Sequence, residues 1–483
     1  LLDKNDLKEV LSVALANGGD FADIFLEEKQ TTGIGLEAGR IERVNSGLDA
    51  GAGIRVLSGE ATAYAYTNDT SKQGLLAAAK IVSHAAQGGP KDLQLDLTTL
   101  KPLVDFRIKT RPENVSTQAK VELVKRVEQA ARAVDREKIK QVIVGYGDTV
   151  QKVTVANSEG TYVEDERVRT RLMVNVVAAE NGNIQTGYDA IGSHAGFEIF
   201  ADCDPEQFAR SAAHRAVKML TALPAPAGKM PVVMAGEAGG TMVHEACGHG
   251  LEADLEQRQL SVYAGKKGQP VASQLITVVD DATLPNRYGS YRFDDEGVPS
   301  RKVTLIEKGI LTDYLYDRLT AGKEKRESNG HGRRESYQHK PLPRMANTYI
   351  APGKEDPDKI IKDYKSGLLV KKMGGGQVNT TTGDFVFDVA EGYLIQDGEI
   401  GPLVRGATLT GNGPEVLRMV ERVGSDLGFT IGTCGKDGQG APVSDAQPTM
   451  AIKELIVGGT AHGSADKQLS RRFTAGYGKI RRI

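Results

Sequence analysis

The sequence predicts an α+β protein of two domains. The first is a mixed helix and antiparallel-sheet domain; the second is β-rich, barrel-like, and built around one helix, TMVHEACGHG. Three observations lead there. Helical and two-residue hydrophobic periodicities alternate over the first 220 or so positions. The segment TALPAPAGKMP (221–231), with three prolines, reads as a linker. Beyond it, β-branched and aromatic alternation broken by glycine dominates. We therefore draw domains over 1–225 and 226–459, with a basic tail over 460–483.

The elements follow in order. In NDLKEVLSVALANGG, Leu7, Val10, Leu11, Ala14 and Leu15 recur at helical spacing, and Gly18 and Gly19 end the helix. DFADIFLEE and TTGIGLEAGRIERVN read as strands with turns at glycines, and DAGAGIRVLSGEATAYAYTN as a hairpin around Ser58-Gly59. Helices are expected over 71–87, 116–135 and 204–220, with a Pro/Gly/Asp-rich connection over 88–112 and antiparallel strands over 138–200. After the linker, VVMAGEAGG is a short strand and glycine turn leading into the helix TMVHEACGHG. The remainder is strand-rich, with helices only over 356–365 and 414–428. His84 reads as a surface or half-buried helix residue, while His194 and His214 have no partner in the sequence and read as structural.

Composition narrows the function. Of 483 residues, 40% are hydrophobic and 26% charged, ordinary for a globular protein with a sizeable core. A net charge of −2 gives no electrostatic case for nucleic acid or for an anionic membrane surface. No apolar run approaches the length of a membrane span. The opening LLDKNDLKEVL is acidic and amphipathic, unlike a secretory signal. Three cysteines, Cys203, Cys247 and Cys434, are too few and too odd in number for a disulfide framework, so the expected compartment is a reducing cytoplasm.

The chemistry is concentrated in HEACGHG, His244 to Gly250. Two imidazoles and one carboxylate on a short segment are the parts of a hydrolytic metal centre. The familiar zinc protease motif places its histidines at i and i+4 on one helical face. Here the second histidine is one residue later, and on a regular α-helix positions i and i+5 lie roughly 140° apart. The helix must widen locally as a π-bulge, or end before His249. Gly248 and Gly250 allow either.

A catalytic zinc takes three protein ligands and keeps one position open. Candidates for the third are Cys247, Glu252, Asp254, His331, His339 and Cys434. Cys247 would demand three ligands from six residues. His331 and His339 lie in a polar, basic segment suited to substrate. Cys434 sits in the glycine-rich loop GTCGKDGQG, where little bulk blocks an ion, and a thiolate with two imidazoles is zinc-compatible. Spacing makes Cys434 only a slight favourite.

HEACGHG resembles the HExxxH signature of the TldD/PmbA family of metalloproteases, also called modulators of DNA gyrase. DDEGVPSRKVTLIEKGILTDYLYDR (294–318), NGHGRRESYQHKPLPRMANTYI (329–350), GGGQVNTTTGDFVF (374–387) and GTCGKDGQG (432–440) resemble family blocks in the expected order. The resemblance covers residues 1 to about 459. The intact motif makes the chain similar to TldD-type subunits, whereas PmbA/TldE-type relatives typically lack it. The resemblance implies His244 and His249 as metal ligands, Glu245 as catalytic acid/base and Cys434 as the third ligand, with one zinc per active chain. Cys247 falls on a variable position of the motif. The resemblance also implies unfolded or short peptides as substrates, and a homodimer or a heterodimer with a PmbA/TldE-like subunit.

The expected function is zinc-dependent peptide hydrolysis in the cytoplasm. Arg333, Arg334 and Arg344 are candidates to pin a substrate carboxylate, with a salt-bridge role as the alternative. Two other readings stand beside this one. Cys434 could be a nucleophile with a histidine base, or the chain could be a non-catalytic regulator acting on gyrase or a toxin–antitoxin system.

Overall fold

A computed structural model of the chain describes residues 2–86 and 95–460. The basic tail beyond Thr460 and part of the 88–112 connection therefore lie outside the described residues. Strands dominate, and helices pack against them. Among the described residues no helix is long and apolar enough to cross a membrane.

The first sheet is built from long strands. β1 (Phe21–Glu37) and β2 (Arg40–Ser58) form a hairpin, and β3 (Ala61–Thr67) pairs with the second half of β2. β4 (Ile139–Asn157) runs antiparallel to β1, and β5 (Thr161–Glu180) pairs in turn with β4 and with β6 (Asn183–Ser193). The expected glycine turns inside β1 do not form. Gly33 and Gly35 keep their ladder partners Asn45 and Arg43, and the chain reverses only at Ala38-Gly39, both at positive φ.

Four helices cover this sheet in two groups. α1 (Lys4–Ala14) is capped by Asp3 and buries Leu7, Val10, Leu11 and Ala14, the stripe its periodicity predicts. It packs with α2 (Lys72–Ala85) on Ile24, Ile54 and Val56. α3 (Thr117–Arg132) and α4 (Pro205–Met219) cover the other end, over Val142, Val144, Leu172 and Val174.

The second half contains a closed ring of five strands. β7 (Gly228–Met234) pairs with both β11 (Ser366–Val378) and β17 (Met450–Gly458); β17 continues to β14 (Thr408–Asn412), β14 to β12 (Asp384–Gln396), and β12 back to β11. Closure removes both sheet edges. A separate sheet runs through β9 (Lys302–Glu307), β8 (Val278–Asp281), β10 (Asn347–Ile350), β16 (Gln439–Gln447) and β15 (Gly428–Lys436), with β15 as its last strand. Outside the ring, β13 (Glu399–Arg405) pairs antiparallel with β12. The expected helix over 414–428 stops at Arg418. Val420–Val423 instead pairs with Met450–Ile452, because a β-branched stretch beside an open strand gains ladder hydrogen bonds that a short helix cannot match.

Buried charge joins the halves. Arg55 of β2 reaches Glu296 at 2.7 Å, and Arg167 of β5 reaches Asp295 at 2.6 Å. Breaking one member of such a pair strands a buried charge, so these contacts fix the relative placement of the two sheets.

His194, just past β6, is 1% exposed and packs on Phe106 with ring centroids 4.6 Å apart. Burial, then the facing charges of Arg169, Arg167 and Arg292, hold its pKa well below the usual value. The folded state keeps His194 neutral while the unfolded state protonates it below pH about 6.5, so its contribution to stability is full above that pH and falls as the pH drops. Relative to a His194→Gln variant, the wild-type chain is expected to lose about 1.4 kcal/mol per pH unit below 6.5. Urea unfolding at pH 7.5 and 5.5 reads this; identical pH slopes in the two proteins would show that His194 titrates alike folded and unfolded.

Candidate metal centre

The motif segment changes helical pitch twice. Thr241–Val243 is α-helical, His244–Gly248 a π-helical turn and His249–Leu251 a 3-10 turn. The His249 N–H donates to the His244 carbonyl, the i to i+5 bond that defines a π-turn. Widening the helix in this way brings residues five apart onto one face. The two imidazole rings meet edge to face, 4.8 Å between centroids.

Neighbouring residues hold this irregular backbone. The Tyr263 hydroxyl donates to the Ala246 carbonyl at 2.7 Å, and the Ser261 hydroxyl to the Gly250 carbonyl at 2.5 Å. A Cβ on Gly248 would lie 2.2 Å from the Met345 sulfur, so the glycine lets the π-turn seat closely against that side chain.

Cys434 arrives from β15. The segment GTCGKDGQG is not a loop, as the sequence suggested, but the tip of the β15–β16 hairpin. Asp437 and Gly438 both have positive φ and form its two-residue turn. Cys434 is thus fixed by ladder hydrogen bonds opposite Ala441. Its sulfur lies 3.6 Å from His249 Nε2, and one donor atom from each of His244, His249 and Cys434 falls within 4.8 Å of the others.

Each imidazole is held from behind by a carboxylate. Asp445 of β16 lies 3.0 Å from His244 Nδ1, and Glu252 lies 3.2 Å from His249 Nδ1. This leaves the other ring nitrogen of each histidine for an ion, the carboxylate–histidine arrangement of metal sites. Lys436, two residues beyond Cys434 on the same face of β15, bridges Glu252 (3.0 Å) and Asp254 (2.6 Å).

The electrostatics follow from this packing. Burial alone would push the Cys434 thiol up, but His244 and His249 outweigh it and hold the pKa at about 5. Burial disfavours charge on both imidazoles, yet Asp445 raises His244 well above the usual range, and Glu252 and Cys434 raise His249 to about 9. Burial likewise opposes the Glu252 carboxylate, which Lys436 and His249 pull down to about 2. Glu245 is half-buried, and burial raises its carboxyl against the opposing pull of His244 and His249. A thiolate and two imidazoles converging in a buried pocket, each imidazole tethered at its far nitrogen, fit a zinc ion in chemistry and in spacing.

The other candidates are placed elsewhere. Cys247 is fully buried with its sulfur against the Val243 carbonyl, outside the cluster. His331 pairs with Asp280, and His339 with Ser336. Glu252 and Asp254 stand behind the donors rather than among them. Arg333, Arg334 and Arg344 are all buried and bond backbone carbonyls: Arg333 those of Met345 and Pro442, Arg334 that of Asp295, Arg344 those of Cys434 and Gln439. Asp445 and Lys436 were missed in the sequence. Lys436 carried a signal, since it shares strand parity with Cys434; Asp445 carried none.

A metallopeptidase is the class that this fold and site define, and comparison with known proteins agrees. Models of the PmbA/TldA metallopeptidase domain 1, central domain and C-terminal domain match residues 22–86, 110–220 and 227–459. The chain belongs to the PmbA/TldD metallopeptidase family. It is 38% identical over 450 residues to the metalloprotease TldD homolog of Haemophilus influenzae, covering 91% of this chain and 93% of that protein. A metalloprotease of Methanocaldococcus jannaschii is 37% identical over 435 residues (88% and 94% covered). A zinc metalloprotease TldD homolog of Saccharolobus solfataricus is 26% identical over 443 residues (92% and 97%). Two crystal structures share the fold. A Thermotoga maritima protein described as a modulator of a DNA gyrase has a TM-score of 0.76 at 23% identity (94% and 100% covered). TldE from Thermococcus kodakarensis has a TM-score of 0.72 at 19% identity (94% and 99%).

If Asp445 orients His244, Asp445→Asn should weaken zinc affinity about 10- to 100-fold with the fold intact. Competition against a chromogenic chelator measures it; an unchanged affinity would remove Asp445 from the site.

Proposed function

We propose that the chain is a zinc-dependent peptidase with His244, His249 and Cys434 as ligands and Glu245 as acid/base. The observation that carries this reading is the convergence of those three donors with Glu245 beside the first of them. Zinc, when bound, supplies Lewis acidity and lowers the pKa of a water toward neutrality. Glu245 takes the proton from the attacking water as its oxygen adds to the peptide carbonyl carbon. The C–N bond then breaks, and Glu245 delivers that proton to the leaving amine. A carboxyl raised by burial suits both halves of the task.

Unfolded or short peptides are the substrates this site suits best, because an extended chain can add to a strand edge through backbone hydrogen bonds regardless of sequence. The GDFVF stretch (383–387) offers no such edge, since it pairs with β11 on one side and β14 on the other. β15, the terminal strand of its sheet and the carrier of Cys434, is the better edge. We further propose a division at about residue 225, action in the cytoplasm, and a dimer formed with a second copy or with a TldE-like subunit. The shared fold with TldE supports the last.

The cysteine-nucleophile reading has one observation in its favour, the Cys434 thiol held near the His249 ring. The two readings part on metal. The zinc reading expects about one zinc per chain, activity lost to chelators, and Glu245→Gln losing about 10²- to 10⁴-fold in kcat with zinc retained. Elemental analysis and peptide-cleavage assays check this. Full activity in Glu245→Gln, or in chelated protein, would overturn it.

A further inference from the structure

A cavity lies against the strand that carries Cys434, and its lining is rich in arginine. It encloses about 440 Å³ and is walled by the first sheet on one side and the β15–β16 hairpin on the other. This volume is within the usual range of about 300–1,000 Å³ for ligand sites. On β5 the sequence Arg167-Val-Arg169-Thr-Arg171 places three arginines on one face. Lys29 and Arg43 face them from β1 and β2, and Arg333 and Arg334 close one end.

Three like charges two residues apart on one strand face repel unless something answers them. Their cross-strand partners do not. Arg167, Arg169 and Arg171 sit opposite Gln151, Thr149 and Gly147, and beyond those lie Lys29, Thr31 and Gly33. The floor across these strands therefore offers no carboxylate, and the space above Gly33 is open. The three carboxylates in the wall are already engaged. Asp148 accepts from Lys120 and Tyr146, Asp295 from Arg167, and Glu335 from the Gly440 N–H.

Arg169 is the decisive residue. It is 5% exposed, and two of its nitrogens bond the carbonyls of Tyr288 (2.8 Å) and Ser290 (3.1 Å). Among the described residues no carboxylate lies within ion-pair distance of it. Burial first, then the charges of Arg167 and Arg333, pull its guanidinium down to about 9, so it remains cationic at neutral pH. A buried cation with no carboxylate in contact, eased only at longer range by Asp165, is costly, and a bound anion relieves that cost.

We propose that this cavity binds a carboxylate of the peptide substrate, its C-terminus or an acidic side chain, with Arg169 as the buried anchor and Arg171 and Arg43 at the mouth. The proposal rests on the peptidase reading. Thr433 lines the cavity and adjoins Cys434, and adjacent strand residues face opposite sides. A peptide crossing the edge of β15 would thus place its carboxylate in the cavity and its backbone beside the three converging donors.

The test uses the full chain carrying Glu245→Gln, so that peptides are bound but not consumed, and fluorescence anisotropy of N-terminally labelled short peptides. One is a free acid without acidic residues, one its C-terminal amide, and one an amide containing glutamate. The free acid is expected to bind at least tenfold more tightly than the plain amide. That margin should vanish in Arg169→Gln and shrink severalfold in Arg171→Gln and Arg43→Gln, exposed positions where folding is not at stake. Tight binding of the glutamate amide assigns the site to acidic side chains, and its weakness assigns it to the C-terminus. Equal binding of all three peptides in every variant, while the chain with Glu245 intact still cleaves them, overturns the subsite and leaves the peptidase standing. Displacement of nothing but inorganic phosphate, with no peptide preference, also overturns it. No binding and no cleavage overturns both readings.

Discussion

The site depends on one hydrogen bond between residues five apart. With the His249 N–H bonded to the His244 carbonyl, the motif segment turns wider than an α-helix and both imidazoles face Cys434. An ordinary α-helical bond pattern would put the rings roughly 140° apart and leave no common point for an ion. A π-turn is poorly packed on its own, which accounts for the clamps around it. Tyr263 and Ser261 satisfy carbonyls of the segment, and Gly248 lets Met345 press against it. The irregularity is thus maintained by tertiary contacts and not by local propensity.

The same logic extends outward. A histidine ligand with a free far nitrogen can rotate or change tautomer, and the carboxylates of Asp445 and Glu252 prevent both. Glu252 itself would be an unbalanced buried charge without Lys436, which is delivered by the strand that delivers Cys434. One hairpin therefore provides a donor, the counter-charge behind a second donor and, through Asp445, the support behind the third. The Asp437-Gly438 turn sets the register of all three at once.

Much of this was legible in the sequence, and the reasons for the rest are physical. The helices of the first half were readable because their apolar stripes repeat at 3.6 residues and their caps are explicit, as at Asp3, Ser116 and Asp204. Spacing alone showed that a regular α-helix could not bring His244 and His249 together, but it left a widened turn and a helix end before His249 both open. Glycine was the main source of error. In β1 it read as punctuation, whereas Gly33 and Gly35 keep the ladder and leave room above the sheet. In GTCGKDGQG it read as a loop, whereas only Gly438 sits at the turn itself. The helix expected after residue 414 failed because helical periodicity in a short apolar run cannot see an unpaired strand lying beside it. Asp445 was invisible because the contact it makes spans 201 positions.

The arginines show the opposite case, a pattern present in the sequence whose meaning needs the sheet. Arg333, Arg334 and Arg344 lie in a polar, basic segment of the sequence, which made them candidates for substrate. In the fold they hold backbone carbonyls, Arg344 that of Cys434 itself, so they shape the ground on which the donors stand. Arg167, Arg169 and Arg171 share one face by strand parity alone, yet whether that face is paired, solvated or enclosed depends on β1, β4 and the distant hairpin. Only the register, which sets Gln151, Thr149 and Gly147 opposite them, shows that their charge is left unanswered by neighbouring strands. Arg167 finds Asp165 and Asp295, but Arg169 is buried with carbonyls alone. A protein that keeps such a residue accepts a desolvation cost within its fold. That cost is most simply balanced by a ligand whose charge is opposite and whose position is beside the site of chemistry.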